Sequence, residues 1–143
     1  AKTTFGEGGE HMNLMSGYAK IGVNPDGSWN YASLRNSSSW LSLSYGKKWQ
    51  GVLFAGYMKN LGLADEHDIE KVYFNSNGST NINQMYRINP QGLYNFGKFS
   101  LGLEYQWTAV QYGDATLDRR ALPTEGLHWV GNHRVNMMVK FTF

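Results

Sequence analysis

Residues 128–143 read His-Trp-Val-Gly-Asn-His-Arg-Val-Asn-Met-Met-Val-Lys-Phe-Thr-Phe. Successive residues of a strand point to opposite faces. Extended, this stretch puts Trp129, His133, Val135, Met137, Val139, Phe141 and Phe143 on one face. His128, Asn132, Arg134, Asn136, Lys140 and Thr142 fall on the other. Strands of soluble sheets peak at roughly 5–6 residues, whereas a tilted strand needs about 9–11 to cross a bilayer. A long strand with one apolar face, one polar face and an aromatic end is the pattern of a transmembrane barrel. The competing pattern is an amphipathic strand of a soluble sandwich.

Working back from this strand, five more segments alternate. In 1–6, Thr3 and Phe5 share a face. In 37–46, Leu41, Leu43 and Tyr45 oppose Trp40, Ser42 and Ser44. Segment 49–60 is apolar on both sides, with Val52, Phe54 and Met58 against Leu53, Ala55 and Tyr57. In 84–96, Tyr86, Ile88, Tyr94 and Phe96 oppose Arg87, Asn89, Gln91 and Asn95. In 98–112, Phe99, Leu101, Leu103, Tyr105 and Trp107 oppose Lys98, Ser100, Glu104, Gln106 and Thr108. Helical spacing competes in none of them.

The connections carry a second signal. Gly46-Lys47-Lys48 and Asn95-Phe96-Gly97-Lys98 are tight turns. Stretches 7–36, 61–83 and 113–127 are long and polar. Long and short connections alternate without exception, as in outer-membrane barrels with short periplasmic turns and long outer loops. The expected topology puts the C-terminus on the periplasmic side. Loop 7–36 contains a hairpin signal, Asn24-Pro25-Asp26-Gly27, between 18–23 and 28–34. It is read as an outer-loop hairpin, or as two more spanning strands.

Composition sets outer bounds. The 143 residues fit one domain, with 17 Gly, 9 Tyr, 7 Phe, 5 Trp, 3 Pro and no Cys. Without Cys there is neither a disulfide scaffold nor a Cys-ligated zinc site. A net charge of +2 gives no reason to expect a nucleic-acid partner. No run of 18 apolar residues exists for a membrane helix, and alternating strands dilute any hydropathy window. The chain starts at Ala1 on what reads as a strand end. A mature chain or a C-terminal piece of a longer one is therefore expected. Six strands are too few to close a barrel in lipid.

Residues 46–60, Gly-Lys-Lys-Trp-Gln-Gly-Val-Leu-Phe-Ala-Gly-Tyr-Met-Lys-Asn, resemble a hairpin of the DcaP-like porins of Bacteroides-type bacteria. So do residues 99–114, Phe-Ser-Leu-Gly-Leu-Glu-Tyr-Gln-Trp-Thr-Ala-Val-Gln-Tyr-Gly-Asp. Val130-Gly131-Asn132-His133-Arg134, leading to a terminal Phe, is similar again. The resemblance covers most of residues 37–143. It implies a barrel of about sixteen strands, often trimeric, of which this chain would be the C-terminal third.

The expected fold is thus an all-β antiparallel transmembrane barrel, with six to eight C-terminal strands here and the remaining strands upstream. The expected function is an outer-membrane porin of a Gram-negative bacterium, a passive channel for small hydrophilic solutes. Candidate pore-lining residues are Arg87, Asn89, Gln91, Lys98, Glu104, Gln106, Arg134, Asn136 and Lys140. Their charges, four basic and one acidic, would favour anions, unless Glu104 pairs with Arg87 or Arg134 inside the wall. Val139, Phe141 and Phe143 resemble the C-terminal signal that barrel-insertion machinery captures by strand addition. Expected partners are outer-membrane lipid, that machinery, the upstream strands and two further copies in a homo-trimer. The alternative is a plugged structural barrel whose outer loops bind a partner.

No enzyme chemistry and no cofactor is indicated. Gly6-Glu7-Gly8-Gly9 lacks the Lys-Ser/Thr of a phosphate loop, and no Gly-x-Ser-x-Gly elbow exists. His11, His67, His128 and His133 have no metal-ligand spacing. Asp65, Glu66 and Asp68 form an acidic loop cluster that oxygen-seeking cations favour, although a solvated loop tip is the preferred reading. Trp40, Trp49, Trp107 and Trp129 are assigned to interfacial belts. Trp29 alone is left to a loop, where it could stack on a sugar.

Overall fold

The computed structural model describes residues 1–7, 17–74, 81–114 and 118–143, with the side chains of residues 73 and 74 excepted. Gly8, Gly9 and His11 lie outside the described residues. Nine strands and no helix are described: β1 Lys2–Glu7, β2 Gly17–Val23, β3 Trp29–Ser33, β4 Arg35–Gly46, β5 Trp49–Gly62, β6 Lys71–Phe74, β7 Ile82–Phe96, β8 Phe99–Tyr112 and β9 His128–Phe141. The protein is all-β, and every pairing is antiparallel.

Six long strands form one sheet in the order β1-β4-β5-β7-β8-β9. They match the six alternating segments, with ends moved by one or two residues in either direction. The sheet is open, and β1 and β9 are its edges. The hairpin of loop 7–36 adds nothing to it. Instead β2 and β3 join β6 in a separate sheet ordered β3-β2-β6. The reading in which the hairpin adds two spanning strands is thereby corrected: β2 and β3 span seven and five residues, too short to run with twelve- to fifteen-residue neighbours. β6 was missed, because four residues cannot show a period.

The two short turns give the sheet its slant. In the paired register the first turn centres level with Asn95, whose N–H donates to Lys48 O at 2.7 Å. The second centres between Gly97 and Lys98, two to three residues further along β7. The hairpins lie two strands apart. With about 3.3 Å per residue and about 4.8 Å between strands, levelling the two tips requires strands tilted by roughly 40°. Outer-membrane barrels tilt by about 35–45°.

Irregularities gather at the opposite end. Register shifts occur at Arg35/Asn36 and Ile82/Gln84, where bulges are common at barrel rims. Mid-sheet, Pro90 has no N–H to give, and pairing of β7 with β8 lapses at Asn89 and Pro90. Buried Asn36 and Asn60 close the inner side at the rim. Asn60 Nδ2 donates to Ile82 O at 3.1 Å, and Gly62 N donates to Asn60 Oδ1 at 2.9 Å.

The buried apolar cluster of the described residues lies beyond that rim, in the loops. Ala19, Leu34, Leu63 and Ala121 are its centre, and Ile21, Ala32, Ile69 and Val72 pack around them. Gly62 makes the bend into this cluster at φ +63, and a Cβ there would meet Arg120 O. Leu63 N donates to Arg120 O, Glu70 N to Lys20 O and His67 N to Arg119 O. Asp118 Oδ1 accepts from Arg120 N and Leu122 N, both at 2.8 Å. Ion pairs Lys20–Glu70 at 2.6 Å and Arg119–Asp68 at 3.2 Å add to the weave. The hairpin turn is tied by Ser28, whose hydroxyl and N–H both donate to Asp26 and hold its carboxyl below the ordinary value. The described parts of the three long loops are thus one assembly with its own core.

Candidate functional site

Directly paired residues of an antiparallel sheet share a face, so the register assigns both faces of the large sheet. The first carries Leu41, Leu43, Tyr45; Trp49, Leu53, Ala55, Tyr57; Tyr86, Ile88, Pro90, Tyr94, Phe96; Phe99 to Trp107 on the odd positions; and Trp129 to Phe141 on the odd positions. This resolves the ambiguous segment 49–60. Leu53, Ala55 and Tyr57 join the apolar face, and Val52, Phe54 and Met58 turn the other way.

Burial runs opposite to that of a soluble sheet. Leu101, Leu103 and Tyr105 are exposed, at 59% for Leu103, while Ser100, Glu104 and Gln106 between them are half-buried. The greater burial of the polar side is that of side chains crowded on the inside of a curved sheet, so the polar side is taken as the concave one and the apolar side as the convex one. Burying a Val, Leu or Phe side chain is worth about 1.5–3 kcal/mol. A face this wide therefore leaves tens of kcal/mol, on the order of magnitude, unrealised within the chain. Exposed patches on soluble monomers rarely pass about 300–600 Å².

Rings bound this face at both ends. Near the short turns an unbroken series of contacts runs Trp49–Tyr94 at 4.3 Å, Tyr94–Phe96 at 5.4 Å, Phe96–Phe99 at 5.5 Å, Phe99–Phe141 at 4.7 Å and Phe141–Phe143 at 5.1 Å. Near the rim, Tyr86 meets Trp107 at 5.2 Å and Trp129 at 5.3 Å, and Trp107 stacks on His133 at 6.1 Å. His133 Nδ1 and Tyr105 Oη are hydrogen-bonded at 2.6 Å. Trp49 to Tyr57, the span between the belts along β5, is about 26 Å at 3.3 Å per residue.

The concave face gathers Arg87, Asn89, Gln91, Glu104, Gln106, Arg134, Asn136 and Lys140. Glu104 is the hub. It accepts from Gln91 Nε2 at 2.7 Å, Asn136 Nδ2 at 2.9 Å and Asn89 Nδ2 at 3.4 Å. Arg87 Nε donates to Thr108 Oγ1 at 3.0 Å, and Arg134 Nε to Asn136 Oδ1 at 2.9 Å. Among the described residues no ion pair joins Glu104 to either arginine, so the alternative of in-wall pairing is not met and amides take its place.

Three assignments change. Lys98 lies in the second turn, where its carbonyl accepts from Thr142 N at 2.9 Å, and not on the wall. Trp40 belongs to neither belt, because it shares the concave face with Phe54 and Arg87. Asp65, Glu66 and Asp68 do not converge on a common point, and no metal-binding group of three occurs among the described residues. Val139 and Phe141 lie on the exposed apolar face of the edge strand, and Phe143 extends past it.

No family model, curated protein or solved structure matches this chain.

Proposed function

We propose that this chain is part of the wall of an outer-membrane porin, a passive channel for small hydrophilic solutes with a preference for anions. The observation that carries this reading is the inverted burial of the large sheet: exposed apolar side chains on the convex face, bounded by two belts of rings, and polar side chains in the concavity. Lipid would supply the burial that the chain does not, and the belts suit its two interfaces. The stagger of the two short turns supports the same reading, since levelling their tips at one interface takes a tilt of roughly 40°. Strands upstream, as in the DcaP-like porins the sequence resembles, close the barrel between the edges β1 and β9. A homo-trimer in the outer membrane, with the C-terminus periplasmic and inserted through Val139, Phe141 and Phe143, completes it. Solutes pass by diffusion, with no covalent step and no cofactor.

The test is conductance of the full chain, purified from outer membranes and reconstituted in planar bilayers. Discrete open channels with anion preference are expected.

One observation favours a second reading. The three loops form an assembly with a buried core beyond the rim, which suits a barrel that presents a rigid surface to a protein partner. Heat-modifiable, assembled barrel that never conducts would favour it over the porin.

A further inference from the structure

On the concave face, β4 carries Ser38, Ser42 and Ser44, yet Trp40 stands among them. It is 42% exposed. An indole so placed, on the polar side, keeps apolar area in water at a cost. Its cross-strand partner is Gly56, followed in the same row by Arg87. Gly56 matters by what it lacks. A Cβ there would come within 3.2 Å of the Phe54 ring, so the missing side chain lets Phe54 lie down along the sheet beside Trp40. The two rings sit 6.3 Å apart and within 26° of parallel. They border a hollow of about 250 Å³ shared with Met58, Met85 and Arg87. Arg87 is held by Nε alone, on Thr108, and neither terminal nitrogen has a partner among the described residues.

We infer that this hollow is a saccharide-binding site in the channel, a conclusion that rests on the porin reading above. The flat, electron-rich faces of Trp40 and Phe54 attract the polarised C–H face of a pyranose ring. The terminal N–H groups of Arg87 form a planar fork that reaches two adjacent sugar oxygens together. Ser38 adds a hydroxyl at the rim of the hollow. A simple inorganic anion would use the fork and leave the platform idle. A pyranose uses both, and the neutral amides around Glu104 continue a hydrogen-bonding track along the wall.

The probe is maltotriose, added to open channels of the full chain in a planar bilayer. Maltotriose should block the ion current saturably. Trp40→Ala should raise the half-blocking concentration roughly tenfold, a change of about 1.4 kcal/mol, while Trp129→Ala on the convex face leaves it unchanged. Open channels that maltotriose does not block, that are blocked by benzoate alone, or that are blocked equally in Trp40→Ala would overturn the saccharide site and leave the porin standing. Absence of any current from assembled protein would overturn both.

Discussion

Gln91 donates to Glu104 at 2.7 Å across β7 and β8, and this amide occupies the place an arginine would take in a neutralised wall. Glu104 is satisfied without a cation. Arg87 and Arg134, fixed by Thr108 and Asn136, keep their charge for the concavity.

Replacing both arginines with Gln should therefore leave a barrel that assembles. Low-dielectric walls focus fixed charge on passing ions. The reversal potential in a salt gradient should move toward cations in Arg87→Gln/Arg134→Gln. The shift should shrink as salt rises, because the Debye length falls from about 10 Å at 0.1 M to about 3 Å at 1 M. An unchanged potential in a conducting double mutant would remove these residues from the selectivity machinery.

The two faces should respond unequally to charge. Leu103 is exposed mid-strand on the convex face, and Gln106 is half-buried on the concave one. An arginine at a bilayer midplane costs about 2–4 kcal/mol. Assembled, heat-modifiable protein should fall sharply for Leu103→Arg and little for Gln106→Arg. Equal losses would contradict the facing. Gly102 is a poor concave-face control, since a Cβ there would come within 2.8 Å of Leu93 Cδ2.

Phe143 stands free of the sheet except for its ring contact with Phe141 at 5.1 Å. If the insertion machinery captures this end by strand addition, Phe143→Asp should leave unassembled protein in the periplasm. Normal yields of detergent-resistant barrel from that variant would refute the capture role.

Leu63 is fully buried at the centre of the loop cluster. Leu-to-Ala at such a site costs about 2–5 kcal/mol, and here the loss should be local. In Leu63→Ala, trypsin added to whole cells should cut faster at Lys71, Arg119 and Arg120, while Lys47 and Lys48 stay protected. Cleavage at Lys47 in intact cells would invert the topology.

What the sequence made legible was whatever repeats. Alternation over ten or more residues located five strands of the large sheet, the shorter β1 was read from Thr3 and Phe5, and the tight turns at Gly46 and Gly97 located the hairpins. The convex side of β8 was readable because every odd position from Phe99 to Trp107 is apolar. Short elements gave no period, so β6 stayed hidden in its loop, and so did its pairing with β2. Trp40 was misplaced because residue type outweighed parity: tryptophans suggested belts, although its neighbours Leu41 and Leu43 already set it on the other face. The Glu104 network could not be foreseen, since which of several nearby amides and arginines reaches a carboxylate depends on rotamers and register.

The loop cluster unites Ala19 from the first described loop with Ala121 from the last. Contacts so distant along the chain form late, since the intervening segment must be ordered before they can close. A strand slipped by one residue would turn its faces inside out and carry its loop out of reach. The cluster therefore adds its burial to the in-register sheet and withholds it from a slipped one.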